Sequence, residues 1–291
     1  MRLDLYLKTQ YPTYSRTYFH YLIESGAVLV NGKRLKKRME VSEDDDVEVC
    51  FLATPELNLI KEPIPLDILY EDEFLIAVNK PANFVVHPAI GHPSGTLVNA
   101  LLHHCQSLSP DELRPGIVHR LDKDTTGVIV AAKTAKTHQE LVKLFSERQM
   151  AKTYLAITQG TPQAGLLNAA IGRHPVHRKI MSVVQNGGKE ASTHVEVLGK
   201  NGQFAFVKLT PHTGRTHQLR VHLQHLGTPI LGDKVYGSTD KEAARPLLHA
   251  LSLSFIHPMT QNFLALNAPV PHDMRKYIAT LTQGSNYEGI C

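Results

Sequence analysis

Apolar residues near the start of the chain fall at two different spacings, and the change of spacing separates helix from strand. Tyr18, Phe19, Leu22 and Ile23 recur every three to four residues, which places them on one face of a helix. Ser15 offers a cap oxygen at its start and Gly26 a stop at its end. Ala27-Val28-Leu29-Val30 then reads as a strand, Asn31-Gly32 as a type I′ turn, and Val47-Glu48-Val49-Cys50-Phe51 as a second strand. Pro55, Pro63 and Pro65 remove backbone donors and stiffen the chain, so residues 53–65 read as a linker. The expected organisation is a small unit over 1–52, this linker, and a larger domain over 66–291.

Within the larger domain the apolar runs Leu75–Val78, Val128–Ala131, Tyr154–Ile157 and Phe204–Leu209 predict strands. Segments 96–104, 135–148 and 216–226 predict helices, the last closed by Gly227. No regular alternation of strand and helix runs through them, which favours an α+β fold over a doubly wound sheet.

Composition narrows the class without naming a function. With 42% hydrophobic and 20% charged residues in 291, the chain has the make-up of folded globular protein rather than of a disordered one. The formal charge of +4 is too small to argue for nucleic acid on its own, so the placement of charge matters more. Cys50, Cys105 and Cys291 are odd in number and far apart, which supports neither a disulfide framework nor a cysteine zinc site. The N-terminus lacks the apolar core of a signal peptide, and no apolar run reaches the roughly 18 residues of a membrane span. The cytoplasm is the expected compartment.

The charge is concentrated directly after the Asn31-Gly32 turn. Lys33, Arg34, Lys36, Lys37 and Arg38 crowd six positions, a density that neutralises phosphates and positions RNA without reading its sequence. A solvated loop balanced by the acidic run at 43–46 is the alternative. The segments Arg2-Leu3-Asp4, Ser15-Arg16, Leu22-Ile23-Glu24-Ser25-Gly26 and Val28-Leu29-Val30-Asn31-Gly32 resemble the small αL-type RNA-binding module first known from a ribosomal protein. The resemblance implies an RNA-binding role for Arg16, Lys33, Arg34, Lys36, Lys37 and Arg38. The chain departs from that pattern at Asp44-Asp45-Asp46, where a Gly-Asp pair is usual, so a differently built turn is expected there.

The segment His119-Arg120-Leu121-Asp122-Lys123-Asp124-Thr125-Thr126-Gly127 lies between a Pro-Gly turn and an apolar strand, a common place for a site. Calcium binding fails, because Lys133 stands where an EF-hand loop needs its bidentate Glu. A plain turn built by Asp, Thr and Gly remains open on local grounds. The string also resembles the signature of the pseudouridine synthases that modify large-subunit ribosomal RNA and some transfer RNAs. Thr213-Gly214-Arg215-Thr216-His217-Gln218-Leu219-Arg220-Val221-His222, Lys152-Thr153-Tyr154-Leu155-Ala156 and Arg245-Pro246-Leu247-Leu248-His249-Ala250 resemble the same family.

The resemblance implies a catalytic domain with a largely antiparallel mixed sheet, no cofactor, and structured RNA as partner, ribosomal first and transfer RNA second. It implies catalytic roles for Asp122, for Arg215 as the cation paired with it, and for Tyr154 as a stacking face for uracil. His119, Arg120, Gln218, Arg220 and Leu248 are the implied substrate contacts, with Arg120 filling the gap left by an extruded uridine. Such an enzyme breaks the bond from ribose C1′ to uracil N1, joins C1′ to C5 and releases the C5 proton. A carboxylate kept charged by a cation suits that task, as nucleophile or as base. Two other classes compete: an RNA-binding factor without catalysis, and a glycosidic hydrolase, which normally needs two carboxylates. His217, His222 and His225 lack the Glu and Cys company of a zinc site and read as structural or RNA-facing. No residue pattern fixes the oligomeric state.

Overall fold

The chain forms two compact units, Met1–Asn58 and Leu59–Cys291. The computed structural model describes residues 1–14, 16–42, 44–52, 59–88, 94–109, 114–178, 180–237 and 243–282. Ser15, the expected helix cap, and residues 53–58 of the expected linker lie outside these.

In the first unit α1 (Leu3–Gln10) and α2 (Arg16–Glu24) pack on the hairpin of β1 (Val28–Val30) and β2 (Val47–Val49). Leu3, Leu7, Phe19, Leu22, Val28 and Val30 make the core, so the spaced apolar residues of α2 do face inward. Asn31 and Gly32 have φ of 50° and 70°, and Val30 and Lys33 exchange both backbone hydrogen bonds, as a type I′ turn requires. The acidic turn takes its shape from side chains instead of a glycine. Asp45 accepts from the Ser42 N–H and the Asn31 amide, and the Asp46 N–H donates to the Asn31 side-chain oxygen. Asp4 is fully buried and accepts from Arg2, Arg16 and His20. Burial raises its pKa, but the three hydrogen bonds outweigh that and hold the carboxyl far below the usual range.

The second unit is built on a nine-stranded sheet. Its elements are β3 (Ile68–Glu71), β4 (Leu75–Lys80), α3 (Leu97–His104), β5 (Thr126–Ala132), α4 (Ala135–Ser146), β6 (Ala151–Gln159) and β7 (Gly165–Asn168). There follow β8 (Ile171–Arg173), β9 (Met181–Val183), β10 (Ser192–Lys200), β11 (Phe204–Pro211), α5 (Gln218–His225), β12 (Leu248–Ile256), β13 (Phe263–Asn267) and α6 (His272–Leu281). The strand order is β3-β4-β5-β12-β6-β11-β10-β7, with β13 on β12 and a separate β8–β9 hairpin. Among the described residues β5 with β12 is the parallel pair, and the other neighbours are antiparallel. This is the α+β arrangement with a largely antiparallel mixed sheet.

Helices cover both faces of the central strands, which explains their continuous apolar runs. Ile76, Val78, Ile129 and Ala131 pack with Leu97 and Leu101 of α3, while Leu75, Val128 and Val130 pack with Leu141 of α4. Farther along, Leu155 and Phe206 meet Met274 and Ile278 of α6.

The parallel contact is short: His249 pairs with Thr126 and Ala250 with Gly127, after which the remainder of β12 pairs β13. Gly127 has φ of 110° and lies against the Ala250 backbone, where a Cβ would overlap the Ala250 carbonyl. Gly127→Ala is therefore expected to destabilise the second unit by at least about 3 kcal/mol. Gly187→Ala, which meets nothing within 4 Å, is expected to cost about 1 kcal/mol. Urea unfolding of both variants checks the difference.

Candidate active site

Asp122 sits on the loop that enters β5, and buried cations fix that loop by its carbonyls. The Lys80 ammonium, fully buried, donates to Pro81 O, Phe84 O and Lys123 O at 2.8, 2.9 and 2.9 Å. Burial pushes Lys80 down to about 7, against the opposing charges of Asp124 and Asp122. Arg245, anchored by Asp273, donates to Asp124 O at 3.2 Å, and the Thr125 N–H closes a turn onto Asp122 O. Upstream, His119 Nε2 accepts the Val130 N–H at 3.0 Å, on a stretch of β5 that β12 no longer pairs. The ring stacks on Phe145 with centroids 4.6 Å apart, and desolvation pushes it down to about 3, so it stays neutral.

The Asp122 side chain faces a cleft of about 510 Å³. All eight residues of the second unit expected at a site line it: Asp122, Arg215, Tyr154, Arg120, Leu248, His119, Gln218 and Arg220. Their arrangement departs from expectation at one point. The cation on Asp122 is Arg220, whose Nη1 donates to Oδ2 at 2.9 Å, and not Arg215. Arg220 lies inside α5, where its side chain reaches the loop, whereas Arg215 lies before α5 and donates through Nε to Glu190 O. Arg220 is held on its other side by Asp233, fully buried, through Nε at 2.7 Å and Nη2 at 2.9 Å. Burial alone would lower the pKa of Arg220; Asp233 and Asp122 outweigh it and raise it. The guanidinium also lies 5.0 Å from the centroid of the Tyr236 ring.

Tyr154 and Leu248 form an apolar wall: they lie diagonally across the β6–β12 pairing and both reach the cleft. Burial, then the charge of Asp122, raises the Tyr154 phenol above its usual value, so it stays protonated. Arg120 is exposed at the rim. Gln218 accepts from Thr213 Oγ1 and the Arg215 N–H and donates to Ser192 O and Thr193 Oγ1, so its amide shapes the 213–215 turn. His222 has both ring nitrogens occupied, by Thr193 and Ala169. In the first unit Lys33, Arg34, Lys36 and Arg38 are exposed, while Arg16 pairs with Asp4 and Lys37 with Glu24.

Sequence reasoning passed over Lys80, Asp233 and Tyr236 and gave His217 no part at the carboxylate. His217 adopts φ of 56°, and its Nε2 is 3.8 Å from Asp122 Oδ1. A left-handed histidine costs about 1 kcal/mol or more, a strain that accumulates at sites. The available signals were an isolated lysine closing an apolar strand and an aspartate bracketed by Gly232 and Gly237.

One carboxylate clamped by a buried arginine, an aromatic wall and an exposed arginine at the rim suit an enzyme site that takes a polyanionic substrate. The profile for RNA pseudouridylate synthases matches residues 74–225, and that of the S4 domain matches residues 1–47. An RNA pseudouridine synthase of Synechocystis is 42% identical over 97% of this chain and 90% of its own. Ribosomal large subunit pseudouridine synthase D of Neisseria meningitidis is 42% identical over 96% of this chain and 78% of its own. Among solved structures, human RNA pseudouridylate synthase domain containing 1 has a TM-score of 0.57 at 29% identity, covering 70% of this chain and 83% of that one. The chain belongs to the RNA pseudouridylate synthase family and is an enzyme that converts uridine in RNA to pseudouridine.

Lysine cannot span two carboxylates as the guanidinium does. Arg220→Lys is expected to slow isomerisation at least about 100-fold, and Arg215→Lys less than about tenfold. Single-turnover rates on saturating RNA check this order.

Proposed function

We propose that this protein isomerises uridine in structured large-subunit ribosomal RNA, with Asp122 as the group that acts on the ribose. The observation that carries the reading is the Asp122–Arg220 pair at the cleft, which engages Oδ2 and leaves Oδ1 outside the Arg220 bond. The similarity to large-subunit enzymes supports the choice of RNA.

A uridine stacked in RNA hides its glycosidic bond, so the nucleotide turns out of the helix and into the cleft. Arg120, exposed at the rim, fills the place it leaves. Leu248 and the Tyr154 ring receive the flat uracil, and the protonated phenol serves as a hydrogen-bond partner. Oδ1 then acts on the sugar, either as nucleophile, forming a bond to C1′ that breaks when C1′ joins C5, or as base, taking a C2′ proton that it returns when C1′ joins C5. The C1′–N1 bond breaks, the uracil turns, C1′ joins C5, the C5 proton leaves and N1 takes one up. The step is redox-neutral and transfers no group to a second molecule.

Release of tritium from carbon 5 of uridine in unmodified large-subunit ribosomal RNA tests the reading. Wild type is expected to release it, and Asp122→Asn to do so at least about 1000-fold more slowly with unchanged RNA affinity. Release only from transfer RNA would move the substrate, and tight binding with no release from either RNA would overturn the reading.

The exposed cations of the first unit take the RNA backbone in this reading. Replacing Lys33, Arg34, Lys36 and Arg38 together by Gln is expected to flatten the slope of log affinity against log salt by about three. Filter binding across a salt series measures that slope.

A further inference from the structure

Tyr236 lies where three parts of the second unit meet. Its ring lies under the Arg220 guanidinium, 5.0 Å to the centroid. Its hydroxyl contacts His217 Nδ1 at 2.8 Å and takes the N–H of Met181, the first residue of β9, at 3.1 Å. Its own N–H is held by Asp233 Oδ1, the same carboxylate that grips Arg220. The ring is buried, as the joint of such a network must be.

The direction of these bonds has a chemical consequence. A backbone N–H can only donate, so the phenol oxygen accepts from Met181, and His217 Nδ1 is the acceptor these contacts offer to the phenol proton. The nitrogen left carrying hydrogen is Nε2, which faces Asp122 Oδ1 at 3.8 Å. Burial holds His217 below its ordinary pKa, against the charge of Asp122, so the neutral tautomer chosen by Tyr236 is the one present.

Arg220 holds one oxygen of Asp122, and His217 presents a hydrogen-bond donor to the other. We infer that Tyr236 is a positioning residue of the isomerase: its hydroxyl sets the His217 tautomer so that Nε2–H orients the free oxygen of Asp122, and ties that setting to the β8–β9 hairpin. At 3.8 Å the contact is longer than a hydrogen bond, and catalytic contacts of that length commonly tighten on substrate binding, which is the closure expected here. The hairpin is suited to sense that closure, because Arg173, His177 and Arg178 are exposed on it and Met181 carries its position to the hydroxyl. The inference rests on the assignment of Asp122 to the chemistry.

Tyr236→Phe removes the hydroxyl and keeps the ring under Arg220. The single-turnover rate on saturating RNA is expected to fall about tenfold, with RNA affinity within about twofold of wild type. Because the hydroxyl acts through His217, Tyr236→Phe with His217→Asn is expected to be no slower than His217→Asn alone; asparagine tolerates the left-handed backbone. Nitrogen NMR of histidine-labelled wild type, assigned with His217→Asn, is expected to show the Nε2–H tautomer, and this readout needs no Tyr236 variant. A wild-type rate in Tyr236→Phe, losses that multiply in the double variant, or an Nδ1–H tautomer would overturn the inference. An inactive wild type instead defeats the proposed reaction itself, so the two failures are told apart.

Discussion

Arg220 between Asp122 and Asp233 is the constraint around which the second unit is arranged. One cation between two carboxylates leaves the cluster with a single negative charge, and the cleft presents that charge at Asp122. Burying such groups is costly unless every one is paired, and deleting one partner typically costs about 3–5 kcal/mol. That explains the surrounding detail. Asp233 Oδ1 accepts two backbone N–H groups besides the guanidinium, and the Tyr236 ring covers the cation's face. The pair is therefore preorganised, which is where electrostatic catalysis gains most.

The sheet supplies the opening that this charge cluster needs. β5 and β12 run together for two residues and then part, and the parting exposes the Val130 N–H that His119 satisfies. The close approach at Gly127 draws the Asp122 loop toward Leu248 and Tyr154, whose strands form the opposite wall. Lys80 and Arg245 then fix the loop through backbone carbonyls, so no side chain facing the cleft is needed to hold it. Rigid strands and a pinned loop thus present one carboxylate in a fixed place.

The first unit handles charge differently. Its buried Asp4 gathers Arg2, Arg16 and His20, and Lys37 pairs with Glu24, so part of the basic character is internal. Beyond the paired and partly exposed Arg16, the exposed cations Lys33, Arg34, Lys36 and Arg38 remain for a polyanion. A count of Lys and Arg in the sequence does not distinguish the two sets, because pairing depends on which helix face meets which loop.

Much of the fold was legible because its signals are local. The spacing in α2, the Asn31-Gly32 turn, and the runs in β4, β5, β6 and β11 each lie within a few residues and depend on backbone preference. Edge and hairpin strands such as β7, β8, β9 and β13, and the short α1, carry weak local patterns and take their form from partners elsewhere. At the site the sequence determined the chemical inventory: one aspartate on a strand-entering loop, a tyrosine on a neighbouring strand, and arginines around a turn. It did not determine their pairing. Arg215 and Arg220 are five positions apart and chemically identical, and only the helical placement of Arg220 and the burial of Asp233 bring the second to Asp122. The joining of Tyr236 to His217 and Met181 was likewise decided by tertiary structure, because hydrogen bonds between distant segments leave no periodicity along the chain.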